Sequence, residues 1–341
     1  MPRFGRAQLL VILVIAGAMS ANLATADEVE DFYRGKTVTI VVSNPAGGGY
    51  DLLARTIAPT LAKHIPGKPN VIVQNMPGAA GILATNHLFT IAAKDGSVIG
   101  SISNTVAFEP LLGTVEARFD PLALNWLGSP TVETGLLGVW HTVPVYSIDD
   151  AKTREVTIGA NGPHSTPTFY ARLLNETLGT KLKLVMGYPG QNEFNLAMEK
   201  EEVDGTSSLF YSSLVATRPS WLSEKKIRLL VQYGFEKHPK LPDVPFATDL
   251  ARNPEDVSLM QAAYAALGVG RPYVMPPGVP AARLRAMQEA LSSTFKDTDF
   301  LAKAQSLQLE TAAAKTGDQL RDIVARAYAI SPQVKARLKA L

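Results

Sequence analysis

The 341-residue chain contains no cysteine. That excludes disulfides, thiolate metal ligands and cysteine nucleophiles, and it leaves the redox compartment open. Histidine is scarce as well: His64, His87, His141, His164 and His238 are scattered, with no zinc-ligand spacing. Neither charge sign dominates, with 33 Lys+Arg against 31 Asp+Glu, so nothing points to nucleic acid or a membrane surface as partner. No G-x-S-x-G nucleophile elbow occurs. No fixed-period repeat or low-complexity tract is present either. Catalytic residues, a cofactor and a metal are therefore not expected.

One long apolar run is present, from Leu9 to Ala18, preceded by Arg3 and Arg6. It is well short of the roughly 20 residues of a spanning helix. Ala24-Thr25-Ala26 follows as a small-x-small site, and then the acidic DEVED. This is the layout of a secretory signal cleaved after Ala26; an uncleaved anchor is the alternative. Removing two arginines and no acids leaves 31 against 31 charges, in a chain long enough for two domains.

After this segment, short apolar runs alternate with stretches of helical period. Strands are expected at Thr37–Ser43, Asn70–Asn75, Ser97–Ser103, Leu136–His141, Glu155–Asn161, Leu182–Tyr188, Val203–Ser208 and Ile227–Gly234. Helices are expected over Gly81–Ala93, Thr166–Leu178 and Gln191–Glu201, and over AARLRAMQEALSSTF. A further helix follows the first strand, because Leu53, Ile57 and Leu61 share one face. Pro59 within it predicts a kink or an early end. The alternation indicates an α/β protein of two similar units, each with a mostly parallel sheet covered on both faces. We expect residues 27–135 and 256–341 to form one domain and 136–255 the other. Trp126, Trp140 and Trp221 are expected to be packing residues.

SNPAGGGYDLLAR, from Ser43 to Arg55, sets three glycines between a strand and a helix start. A dinucleotide fingerprint beginning at Gly47 needs glycine at position 52, which is Leu. The Gly-Lys-Ser/Thr of a P-loop does not follow this run. What remains is an amide-rich turn at a helix N-terminus, where a carboxylate can bind without Lys or Arg. A simple tight turn is the alternative. Asp51 either complements the helix dipole or touches a ligand ammonium or hydroxyl. GANGPHSTPTF repeats the arrangement, with Thr166 as N-cap and Pro167 at the first helical position. Ser165, Thr166 and the first-turn amides either face a ligand or only cap the helix. GYPGQNEF is a third strand end of this kind.

NPAGGGYDLLAR, VIVQNMPGAAG, GYPGQNEFNLAMEKEEVDG, LPDVP and MPPGVP occur in this order. Together they resemble the periplasmic receptors of tripartite tricarboxylate transporters, the Bug receptors, over nearly the whole chain after the leader. The resemblance implies a type II periplasmic-binding-protein fold, with two α/β domains joined by a hinge and the ligand cleft between them. It implies a periplasmic solute-binding receptor that delivers a small organic carboxylate to membrane transporter subunits. The ligand classes are di- or tricarboxylates, with aromatic acids and amino acids as further candidates; the receptor is expected to be a monomer. Carried over residue by residue, ligand contacts fall on Ala46, Gly47, Gly48, Asp51, Ser103 and Asn104, and on Ser165, Thr166 and Ser207. Many members carry a histidine shortly after the Ser-Thr pair, whereas here His164 precedes it. A sensor subunit with the same ligand chemistry, or less readily an α/β hydrolase or lyase, are the rival readings.

Overall fold

The computed structural model describes residues 27–113, 116–163, 165–188, 191–309, 311 and 313–341. The leader segment, His164 and Pro189-Gly190 lie outside them. Eleven strands are named in chain order among the described residues. They are β1 (Thr37–Val42), β2 (Asn70–Asn75), β3 (Val98–Ser101), β4 (Asn125–Ser129), β5 (Gly135–Trp140) and β6 (Val156–Ala160). The rest are β7 (Leu182–Met186), β8 (Gly205–Phe210), β9 (Ile227–Tyr233), β10 (Tyr273–Met275) and β11 (Lys315–Thr316). They form a six-stranded sheet in the order β11-β4-β10-β3-β1-β2 and a five-stranded sheet in the order β7-β6-β8-β5-β9. The fold is α/β with two sheets, as the sequence indicates.

The helix after β1, Gly49–His64, buries Leu53, Ile57 and Leu61 completely. These side chains pack with Val38, Ile40 and Val42 on one face of β1. Val41, pointing the other way, packs with Ile82, Ala84 and Leu88 of the Ile82–Thr90 helix. Helices thus cover both faces, and β1 buries apolar residues on each. Pro59 does not end the Gly49–His64 helix, which continues to its last residue. Pro59 forfeits one backbone hydrogen bond. The buried apolar face on either side of it holds the helix in place.

Neither sheet is mostly parallel. β1 pairs in parallel with β2 and β3, and β6 with β7 and β8. β10 runs antiparallel to β3 and β4, β11 to β4, and β5 to β8 and β9. The reason lies in how the chain passes between sheets. It leaves the C-terminal end of β4 and enters β5 from the same side. It later leaves the C-terminal end of β9 and returns through a long helix into β10. The C-terminal ends of β1, β3, β4, β6, β8 and β9 and the N-terminal ends of β5 and β10 therefore share one region between the sheets.

The returning helix, Pro254–Val269, starts on an Asn253 cap, whose side chain accepts the Asp256 N–H at 2.9 Å, with Pro254 at the first helical position. Leu259, Met260 and Tyr264 pack into the core that includes β5, β6 and β9. Ala265 and Val269 pack into the core beside β10. One helix thus joins both cores. Trp126, Trp140 and Trp221 are all buried, the last two edge to face. No helix among the described residues is long and apolar enough to cross a membrane.

Candidate functional site

Where the two sheets' strand ends converge there is a cavity of about 500 Å³, within the roughly 300–1,000 Å³ of small-molecule sites. In open α/β sheets ligands bind beyond the carboxyl ends of strands. One wall comes from Tyr50 and from Asn104 to Leu112 of the β1–β3 side. The opposite wall comes from Thr166 and Phe169 after β6, from Phe210 at the end of β8 and from Ser212 beyond it. The Pro254–Val269 helix contributes Ala262, Ala266 and Leu267, and Arg271 follows it.

Arg271 is placed by its neighbour. Gly270 has φ +64°, and a Cβ there would lie 1.9 Å from the Thr131 carbonyl oxygen, so only glycine fits this exit from the helix. The Arg271 N–H then donates to Ser129 Oγ at 3.0 Å. Its guanidinium lies over the Tyr50 ring, 5.5 Å from the centroid, and donates to the Gly49 carbonyl at 3.3 Å. A Cβ on Gly49 would stand 3.2 Å from Arg271 Nη1. The third glycine of the triplet thus makes room for a cation. Tyr50 Oη accepts the Asn104 N–H at 3.0 Å. Burial pushes the phenol up to about 12, against the opposing effects of that hydrogen bond and of Arg271. Tyr50 is a neutral platform at any physiological pH. The other charged groups on the wall are Glu109 and Glu133, the latter accepting Ser212 Oγ at 2.7 Å.

Of the residues expected from the sequence, Asn104 and Thr166 line the cavity. Ala46, Gly47 and Gly48 form an exposed loop. The positive φ of that loop falls at Gly47, at +82°, whereas Gly48 is the helix N-cap at φ −79°. Asp51 is buried and turned back on this loop. Its Oδ2 accepts the Gly47 N–H at 2.8 Å, and its Oδ1 accepts Arg55 Nε and Asn75 Nδ2, each at 3.0 Å. The Arg55 hydrogen bond holds its carboxyl below the usual range, helped by Gly47 and Asn75 and opposed by burial. Ser103 is buried against Ser43: its N–H donates to Ser43 Oγ at 2.9 Å, and the two hydroxyls lie 3.2 Å apart.

On the other wall the cap is Ser165 rather than Thr166, which begins the helix, with Pro167 second. Ser165 Oγ donates to the Gly162 carbonyl at 2.9 Å, closing its own loop. Ser207 is fully buried, and its hydroxyl donates to the Pro167 carbonyl at 2.7 Å. The Tyr233 hydroxyl in turn donates to the Ser207 carbonyl. Ser207 thus pins the helix start to β8. The residues that sequence reasoning missed are Tyr50, Glu133, Phe169, Phe210 and Arg271. Gly270-Arg271 directly after a helix was the visible signal for the last, but its partners lie far away in the chain.

The family model of the tripartite tricarboxylate transporter family receptor matches residues 53–333. A protein of the ttuE–ttuC′ intergenic region of Agrobacterium vitis is 25% identical over 297 residues, covering 82% of this chain and 77% of its own. Protein BugT of Bordetella pertussis is 33% identical over 94 residues, 27% of this chain and 28% of its own. A TctC solute-binding protein from Polaromonas superposes with TM-score 0.72 at 17% identity, covering 91% of this chain and all of that one. MatC of Rhodopseudomonas palustris, solved with malate, gives TM-score 0.56 at 21% identity over 89% of this chain and 98% of that one. A second protein of that organism, solved with adipate, gives 0.58 at 20% over 89% and 97%. With most of its length matched by one family of receptors rather than enzymes, and with that family's fold, the chain belongs to the tripartite tricarboxylate transporter receptor family.

Proposed function

We propose that this protein is a periplasmic receptor, exported with residues 1–26 as a cleaved signal, that captures a small organic carboxylate. It hands the ligand to the membrane subunits of a tripartite tricarboxylate transporter. Arg271 carries the reading: a guanidinium on the wall of the inter-sheet cavity, held by Gly49 and Tyr50. A guanidinium presents a fork of donors that matches a carboxylate. Malate and adipate in related structures agree with the ligand class. In this reading residues 27–135 and 256–341 form one domain and 136–255 the other, and capture closes the cleft by hinge motion.

A thermal-shift screen over mono-, di- and tricarboxylates tests it. A ligand present at about 100 times its dissociation constant adds about 2.7 kcal/mol to stability, enough to raise the melting temperature by a few degrees. The ligand should be recovered chemically unchanged after long incubation. A flat response across all three classes, or formation of a product, overturns the proposal.

A further inference from the structure

Among the described residues the cavity has one cation, and much of its lining is apolar. Beyond Arg271, its lining includes Phe108, Leu111, Phe169, Phe210 and Leu267, drawn from both sides and the helix between them. Among the described residues, the remaining charged side chains on its walls are both acids, Glu109 and Glu133. A di- or tricarboxylate can offer one carboxylate to Arg271, but its others meet no second cation among the described lining residues, only the neutral groups of Asn104, Thr105, Thr166, Ser212 and Ser213 and the like charge of Glu109 and Glu133. Neutral hydrogen bonds compensate a buried carboxylate less than a cation does, and like charge opposes it. A ligand with a single carboxylate and a bulky apolar remainder meets neither penalty, and its body removes apolar surface from water on both walls at once.

Resting on the reading of this cavity as a carboxylate site, we infer that its ligand is a monocarboxylate with an aromatic or comparably bulky apolar body. Arg271 takes the carboxylate end. Phe169 and Phe210 from one wall and Phe108 from the other hold the body. Arg271 follows Gly270 and is braced on Tyr50, so the anionic end is fixed at the helix exit while selectivity resides in the apolar walls.

Calorimetric titration of the mature chain with 3-phenylpropanoate, acetate, malate and adipate decides the matter. The expected result is that 3-phenylpropanoate binds at least tenfold more tightly than the other three. Arg271→Gln should weaken it ten- to hundredfold, as the loss of a charge-assisted hydrogen bond does. Arg271→Lys, which keeps the charge but not the fork, should fall between. Phe169→Ala should weaken 3-phenylpropanoate while leaving acetate unchanged, and circular dichroism confirms that each variant is folded. Malate or adipate binding more tightly than 3-phenylpropanoate overturns this inference and leaves the receptor reading standing. Phenylalanine binding more tightly than 3-phenylpropanoate overturns the single-anchor claim. An absence of binding by every acid overturns the receptor reading itself.

Discussion

At Gly47 the backbone has φ +82° and at Gly48 φ −79°, so a side chain meets strain at the first and none at the second. Left-handed backbone costs an L-residue roughly 1–2 kcal/mol. Gly47→Ala should therefore lower unfolding stability by about 1 kcal/mol, and Gly48→Ala should stay within about 0.5 kcal/mol of the parent. Gly49→Ala belongs to a third category. Its methyl would press on the Arg271 guanidinium and should weaken carboxylate binding with little change in stability. Urea melts and calorimetry on the three variants separate these effects. Asp51 gives a pH signature. Its folded carboxyl is held low by Arg55, Gly47 and Asn75, so the unfolded state takes up protons first as pH falls. The stability it provides is complete above the ordinary aspartate range near about 4 and is lost as pH falls through the lowered folded value. Asp51→Asn should be less stable than the parent at pH 7, with the gap closing toward acid. A constant gap from pH 7 to pH 3 counts against this linkage.

At the scale of elements, β2 could be read to the residue and the Thr166–Leu178 helix to within one position of its cap, because apolar period and local turn chemistry both lie within a short window. β4, β10 and β11 could not. β10 is three residues and β11 two, and they exist because they fill slots in a sheet built elsewhere in the chain. The site shows the same division. The strand-to-helix turns were legible from glycine and capping residues. The pairing of Arg271 with Gly49 and Tyr50 depends on a tertiary contact that no local pattern encodes. The C-terminal helix, Pro332–Ala340, gives an element-scale prediction. Arg337 donates to Glu176 Oε1 and to the buried Asp256 Oδ1, both at 2.6 Å, so it ties this helix to Thr166–Leu178 and to Pro254–Val269. Without Arg337, Asp256 stays buried but keeps Arg252 Nε at 3.4 Å and Asn253, so the cost falls below that of a fully unpaired buried charge. Arg337→Ala should lower stability by about 2 kcal/mol. Because Leu338 lines the cavity, the same change should also weaken ligand binding, read in one thermal-shift and titration series.

At the scale of the whole molecule, the Pro254–Val269 helix packs into both cores, so relative motion of the sheets must be accommodated around it. Small-angle scattering should report a smaller radius of gyration with bound ligand than without; equal values argue against hinge closure. The strand order carries a further consequence, for the life of the chain before it is native. In the six-stranded sheet β4 meets β3 only through β10, so a chain emerging N-terminus first cannot complete that sheet until residues 273–275 have appeared. The five strands of the other sheet are contiguous, from Gly135 to Tyr233, and need no later segment for their pairing. Refolding from urea under pulsed hydrogen exchange should therefore protect β5–β9 amides before those of β4 and β10, since early local pairing carries less loop-closure entropy. Simultaneous protection of both sheets would contradict this order. In the proposed export, the six-stranded sheet, unlike its neighbour, stays incomplete until the last quarter of the chain has emerged.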